Sequence, residues 1–172
     1  MTSQSVSDQL AEQIAGLRRY AFALTGSQQE AEDLVQDTLV RAIAAAHSFR
    51  AGGSLRAWLF SIMHNLFISG VRRRRPPTVA LNEEAAAVAQ APAQLIMLEV
   101  RDALAALARL PEAQRAALSL IALEDFSYEQ AAKIQGIPVG TLMSRLARGR
   151  EALRQMMHGD LKVPLRVIGG EP

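Results

Sequence analysis

Between Phe126 and Arg150, the order of polar, small and apolar residues leaves room for little besides two short helices joined by a tight turn. Ser127 and Gln130 have the spacing of a capping box, so a helix is predicted to start at Tyr128. Ala131 and Ala132 are small enough to let a second helix approach closely. Gly136 supplies the turn, because glycine alone takes the left-handed conformation without steric cost. Pro138 then stands at the entry of a further helix, where its missing N–H costs nothing. On that helix Leu142, Leu146 and Leu153 form one apolar stripe. Thr141, Ser144, Arg145 and Arg148 fall away from it, as the groove-facing residues of a DNA-reading helix would. The pattern reads as a helix-turn-helix with duplex DNA as its ligand. An ordinary helical hairpin with a solvated basic face is the plainer alternative.

The rest of the composition agrees with helices. The chain of 172 residues is rich in alanine and leucine and poor in aromatics, which favours helix over sheet. It has no cysteine, which excludes disulfides, zinc fingers and thiol chemistry. No apolar run reaches the length of a membrane span, and Met1 to Asp8 lack the parts of a signal peptide. A cytoplasmic protein with no membrane insertion is expected. Net charge is only +2, from 19 basic and 17 acidic residues. Local density matters more for a polyanion partner. Glu30, Glu32, Asp33 and Asp37 cluster without a basic neighbour, Arg72 to Arg75 are consecutive, and Arg145, Arg148, Arg150 and Arg154 accompany a single Glu151.

Helical periodicity begins at residues 8–25 through Leu10, Ile14, Leu17 and Leu24. Ser27 and Glu30 form a second capping pattern, launching a helix with Ala31, Leu34, Val35, Leu39 and Ile43 as its apolar positions. Its opposite face carries Glu32, Asp33, Gln36, Asp37 and Arg41. Phe49 to Ser54 is a break, and Ser54 is placed to cap a third helix through Leu55, Trp58, Leu59, Ile62, Leu66 and Val71. Residues 76–94, proline-bounded and weakly patterned, read as a linker. Periodicity returns at Leu95, Leu98, Ala103, Leu104 and Leu107, and Pro111 restarts a helix. The predicted fold is all-α: two small helical domains joined by a flexible linker, the C-terminal one containing the helix-turn-helix. The expected bounds are 1–75, linker 76–94, 95–158 and a tail 159–172.

In that order, three stretches resemble the extracytoplasmic-function sigma factors of bacteria. Ala31 to Ala42 is similar to the family's polymerase-binding helix, and Phe49 to Asn65, with Arg56-Ala-Trp-Leu59, to its promoter-melting region. Leu110 to Leu118 together with Tyr128 to Arg150 is similar to its fourth conserved region. The resemblance covers roughly residues 8–158. It implies a non-enzymatic initiation factor that binds core RNA polymerase and promoter DNA and is held in check by an anti-sigma protein. No cofactor is expected. No glycine-rich phosphate loop, nucleophile constellation or metal-ligand spacing stands against that. His47, His64 and His158 are scattered and read as surface or partly packed residues.

The resemblance also assigns residues. Glu32, Asp33, Gln36, Asp37 and Arg41 would meet polymerase, although Asp37 and Arg41 alone fit a salt-bridged solvent face equally well. Gly52, Gly53 and Ser54 would wrap an unstacked base of the minus-ten element, and Asn65 has a donor and an acceptor with which to read its edge. Trp58 reads as core. Arg72, Arg73, Arg74 and Arg75 would neutralise phosphates there, or simply complement a helix C-terminus. Arg115, Lys133, Thr141, Ser144, Arg145 and Arg148 would contact the minus-thirty-five element. Met143 departs from the family, where a basic residue is common, as does the small Ala147; both imply fewer charge-assisted contacts. A conventional helix-turn-helix regulator is the alternative, but it leaves the acidic helix and residues 49–75 without a role.

Overall fold

Serine side chains cap the starts of three helices, at Ser27, Ser54 and Ser127, and the left-handed Gly136 ends one. The computed structural model describes residues 3–49, 52–74 and 102–158. The predicted linker 76–94, the tail 159–172 and Arg75 lie outside the described residues, as do the side chains of Arg72, Arg73 and Arg74. Helix α1 spans Ser3–Thr25, starting earlier than the periodicity predicts because no proline or glycine interrupts it before Gly16. Helix α2 spans Gln28–Ala44, and Ser27 Oγ accepts from the Glu30 N–H as the capping pattern predicts. A single 3-10 turn, Ala46–Ser48, leads into the break. Helix α3, Leu55–Arg74, starts where Ser54 Oγ accepts from Ala57 N–H at 3.2 Å.

Residues 102–108 form α4. Helix α5, Glu112–Ala122, is launched by Pro111, whose carbonyl accepts from the Gln114 and Arg115 N–H groups. Helix α6, Tyr128–Gln135, carries the full capping box between Ser127 and Gln130. Gly136 closes it at φ 64°, and α7 runs Val139–His158. No strand occurs among the described residues.

Helices α1, α2 and α3 pack on one another, as do α5, α6 and α7. The two groups also meet, α3 lying against α6 and α1 against α5, so that one apolar cluster runs from Leu17 to Leu146. The cause is in α3. Leu59, Phe60 and Met63 are fully buried, while Trp58, Ile62 and Phe67 pack partly against the same cluster. A helix apolar on several sides must be covered on several sides. Each large side chain so covered contributes about 1.5–3 kcal/mol of transfer free energy. Trp58 is core-packed as expected, its ring 5.2 Å from that of Phe49. Ile43 is not: it is 66% exposed, on the edge of the α2 face that carries the carboxylates. His64, read as surface or partly packed, is buried against Tyr20.

Candidate nucleic-acid and polymerase interfaces

The turn between α6 and α7 is fixed from both sides. The Gly136 N–H reaches the carbonyls of Ala132 and Lys133, and the Ile137 N–H donates to Ala132 O at 3.0 Å. Ala131, Ala132 and Ile134 of α6, with Leu142 and Leu146 of α7, are buried, which locks the pair as a unit. Gly149 continues the inward stripe and allows α7 to lie close to Leu118 and Gln114 of α5. With that face buried, Thr141, Ser144 and Arg148 come together on the exposed face of α7. Ser144 Oγ donates to Gly140 O, which leaves the oxygen lone pairs outward. Met143 stands beside them, 52% exposed. The surface offers hydroxyl groups, one guanidinium and one thioether at the spacing of successive helical turns.

The other predicted contacts are placed differently. Lys133 is exposed on α6. Arg145 is half-buried and donates to Gln135 Oε1 at 2.9 Å, tying the second helix to the first. Arg115 donates to Ala108 O at 2.8 Å and braces α5 against α4. Burial lowers its pKa from the ordinary guanidinium value, opposed by the nearby Glu112 carboxylate. Its Nε is buried without a partner among the described residues.

On α2 the buried stripe of Ala31, Val35, Thr38 and Ala42 turns Glu32, Asp33, Gln36, Asp37 and Arg41 to solvent. Gln28 donates to Glu32 at 2.8 Å and Gln29 to Asp33 at 3.3 Å, both one turn back. Asp37 and Arg41 form no ion pair among the described residues, so a self-neutralised solvent face does not account for them. Two apolar residues stand on this face, Val40 at 68% and Ile43 at 66% exposure. Sequence reasoning overlooked Val40, although its helical position opposite the buried stripe was readable.

At the break, Gly52 adopts φ 94°, a conformation that L side chains rarely take. Gly52, Gly53, Ser54 and Asn65 are all exposed. Asn65 directly follows the buried His64, so α3 is anchored one residue before the side chain it presents.

Comparison with known proteins follows the same two groups of helices. Residues 10–64 match the family described as the Sigma2 domain of PhyR, and residues 101–153 match Sigma-70, region 4. The chain is 42% identical over 159 residues to the ECF RNA polymerase sigma factor EcfG of Rhodopseudomonas palustris, covering 92% of this chain and 88% of the relative. It is 33% identical to the ECF RNA polymerase sigma factor SigM of Mycobacterium tuberculosis, over 82% of this chain and 71% of that one. Among solved structures it is similar to the sigma factor RpoE of Bartonella quintana, crystallised with the anti-sigma factor NepR. The TM-score is 0.77 at 38% identity, over 91% of this chain and 99% of that one.

Proposed function

Because the chain belongs to the extracytoplasmic-function sigma factors of RNA polymerase, we propose that it binds core polymerase through α2 and directs it to promoters read at two elements. The observation that carries this reading is the pairing, in one chain, of a capped helix-turn-helix with an unneutralised acidic helix face. The chemistry of initiation belongs to the polymerase, and this protein contributes positioning.

The α2 face combines exposed carboxylates, a guanidinium and the apolar Val40 and Ile43. An apolar contact at the centre, Val40, with a second at the edge and charges around them suits a protein partner better than bulk solvent. The exposed Gly52–Ser54 turn and Asn65 take the minus-ten element, where an unstacked base is captured from one strand. Helix α7 enters the major groove of the minus-thirty-five element with Thr141, Ser144 and Arg148, and Lys133 lies nearby for a phosphate. Arg145 and Arg115 act here mainly by holding the motif together, since each already has an intramolecular partner. Two weak DNA contacts on one polymerase reinforce each other through effective concentration. The likeness to a sigma factor crystallised with NepR supports control by an anti-sigma protein.

Reconstituted transcription with bacterial core polymerase and genome-fragment templates tests the reading. The protein is expected to direct initiation at defined sites and to footprint promoter DNA only with core present. Arg148→Ala should reduce promoter-specific initiation while core binding persists, and Asp33→Lys should weaken core binding. Specific footprinting without polymerase would instead favour a conventional regulator.

A further inference from the structure

The two helical groups are joined at their contact by a carboxylate that neither group could bury alone. Glu124, in the loop between α5 and α6, has a side chain with no exposed surface. Both of its cationic partners come from the N-terminal helices. Arg19 of α1 donates to it at 2.9 Å and 3.1 Å. Arg56 of α3 donates to its Oε2 at 3.0 Å and also to its backbone carbonyl. The Arg56 guanidinium lies 4.3 Å from the centre of the Phe126 ring, and Phe126 packs edge-on against Phe60 at 5.0 Å. Asp125, between them, takes φ 50°, and the side chains on both sides of it meet Arg56. On the opposite wall, Gly16 approaches so closely that a Cβ there would stand 2.7 Å from Glu124 Oε2.

We propose that the Glu124–Phe126 loop is an internal latch: docked between Arg19, Arg56 and Phe60, it holds a closed form that must open before the protein can serve a promoter. This rests on the two-element function above. Elements centred about 10 and about 35 base pairs upstream lie about 85 Å apart at about 3.4 Å per base pair. The 127 described residues, closed into one body, have a radius of gyration of about 14 Å and a diameter of about 36 Å. The closed form cannot reach both. It also occupies Arg56, which belongs to the stretch resembling the melting region.

The latch is of a kind that releases. Burying a carboxylate costs much of what its arginine partners return, so a buried ion pair adds little net stability to the closed form. Arg19 and Arg56 remain 56% and 35% exposed in the closed form, and opening returns Glu124 to water.

The test uses the natural absence of cysteine. Fluorophores on Ala44→Cys and Gln155→Cys, both at exposed positions, report the separation of α2 and α7 by energy transfer. The parent should show high transfer. Glu124→Gln removes the charge, Arg19→Ala removes one partner, and Gly16→Ala drives a methyl into the carboxylate; each should lower transfer while helix content by circular dichroism stays unchanged. Unchanged transfer in all three overturns the latch. In transcription with core polymerase, Gly16→Ala and Glu124→Gln should reach half-maximal output at several-fold lower protein concentration. Equal concentrations overturn the latch as a brake. A parent protein inactive with core polymerase sinks the function proposed above instead, and the energy-transfer comparison still decides the latch.

Discussion

Acidification should weaken this protein through one residue, His64. Its side chain is 6% exposed, and Nδ1 lies 3.1 Å from the Tyr20 hydroxyl at the centre of the α1–α3 packing. Burial, reinforced by the positive charge of Arg145, lowers its pKa from 6.5 to about 4. The folded pKa is thus below the unfolded one, so the unfolded chain binds the proton more readily throughout that interval. The stabilisation is complete above about pH 6.5 and is lost progressively as pH falls towards about 4. At about 1.4 kcal/mol per unit, the whole interval amounts to about 3 kcal/mol, a large share of a typical domain's stability. Urea unfolding followed by circular dichroism at a series of pH values, for the parent and His64→Gln, isolates the contribution. The parent should lose about 3 kcal/mol more than the variant across the interval. Ring-proton resonances should titrate near the lower limit. Parallel pH profiles, or a midpoint near that of free histidine, would refute the assignment of a buried neutral ring.

Gly149→Leu should destabilise the C-terminal helices by about 1–3 kcal/mol through overpacking, because even a Cβ there would stand 2.7 Å from Leu118 Cδ1. Thermal denaturation checks this, and an unchanged midpoint would mean that α7 does not approach α5 so closely. Gly136→Ala forces a methyl-bearing residue to φ 64° and should cost about 1 kcal/mol, read as a lower urea midpoint. Met143→Arg places a cation on the exposed face of α7. With the holoenzyme on an upstream element, it should steepen log K against log salt by about 0.9 for one added phosphate contact; an unaltered slope would remove that position from the DNA-facing surface.

The helices and their ends were legible because they depend on neighbours in sequence. The capping box at Ser127 and Gln130, the cap at Ser54 and the left-handed Gly136 act within four residues of where they stand. The outward set of Thr141, Ser144 and Arg148 followed from the leucine stripe behind it. What escaped the periodicity was α3, where Phe60 and Met63 were overlooked although both are fully buried. An apolar residue off the main stripe has no evident partner until a second group of helices supplies one. Ile43 erred the other way, since the stripe of α2 is already complete without it and leaves it 66% exposed.

Local periodicity and capping chemistry therefore determined which segments are helical and which side chains each presents. Only the tertiary structure decided that α3 and α6 lie together, that Arg145 and Arg115 turn inward, and that Glu124 is clasped by Arg19, 105 residues away in sequence. The reason is range. A hydrogen bond within one helical turn is specified by a few adjacent residues, whereas the burial of a charge depends on surfaces that meet only when distant helices close over it.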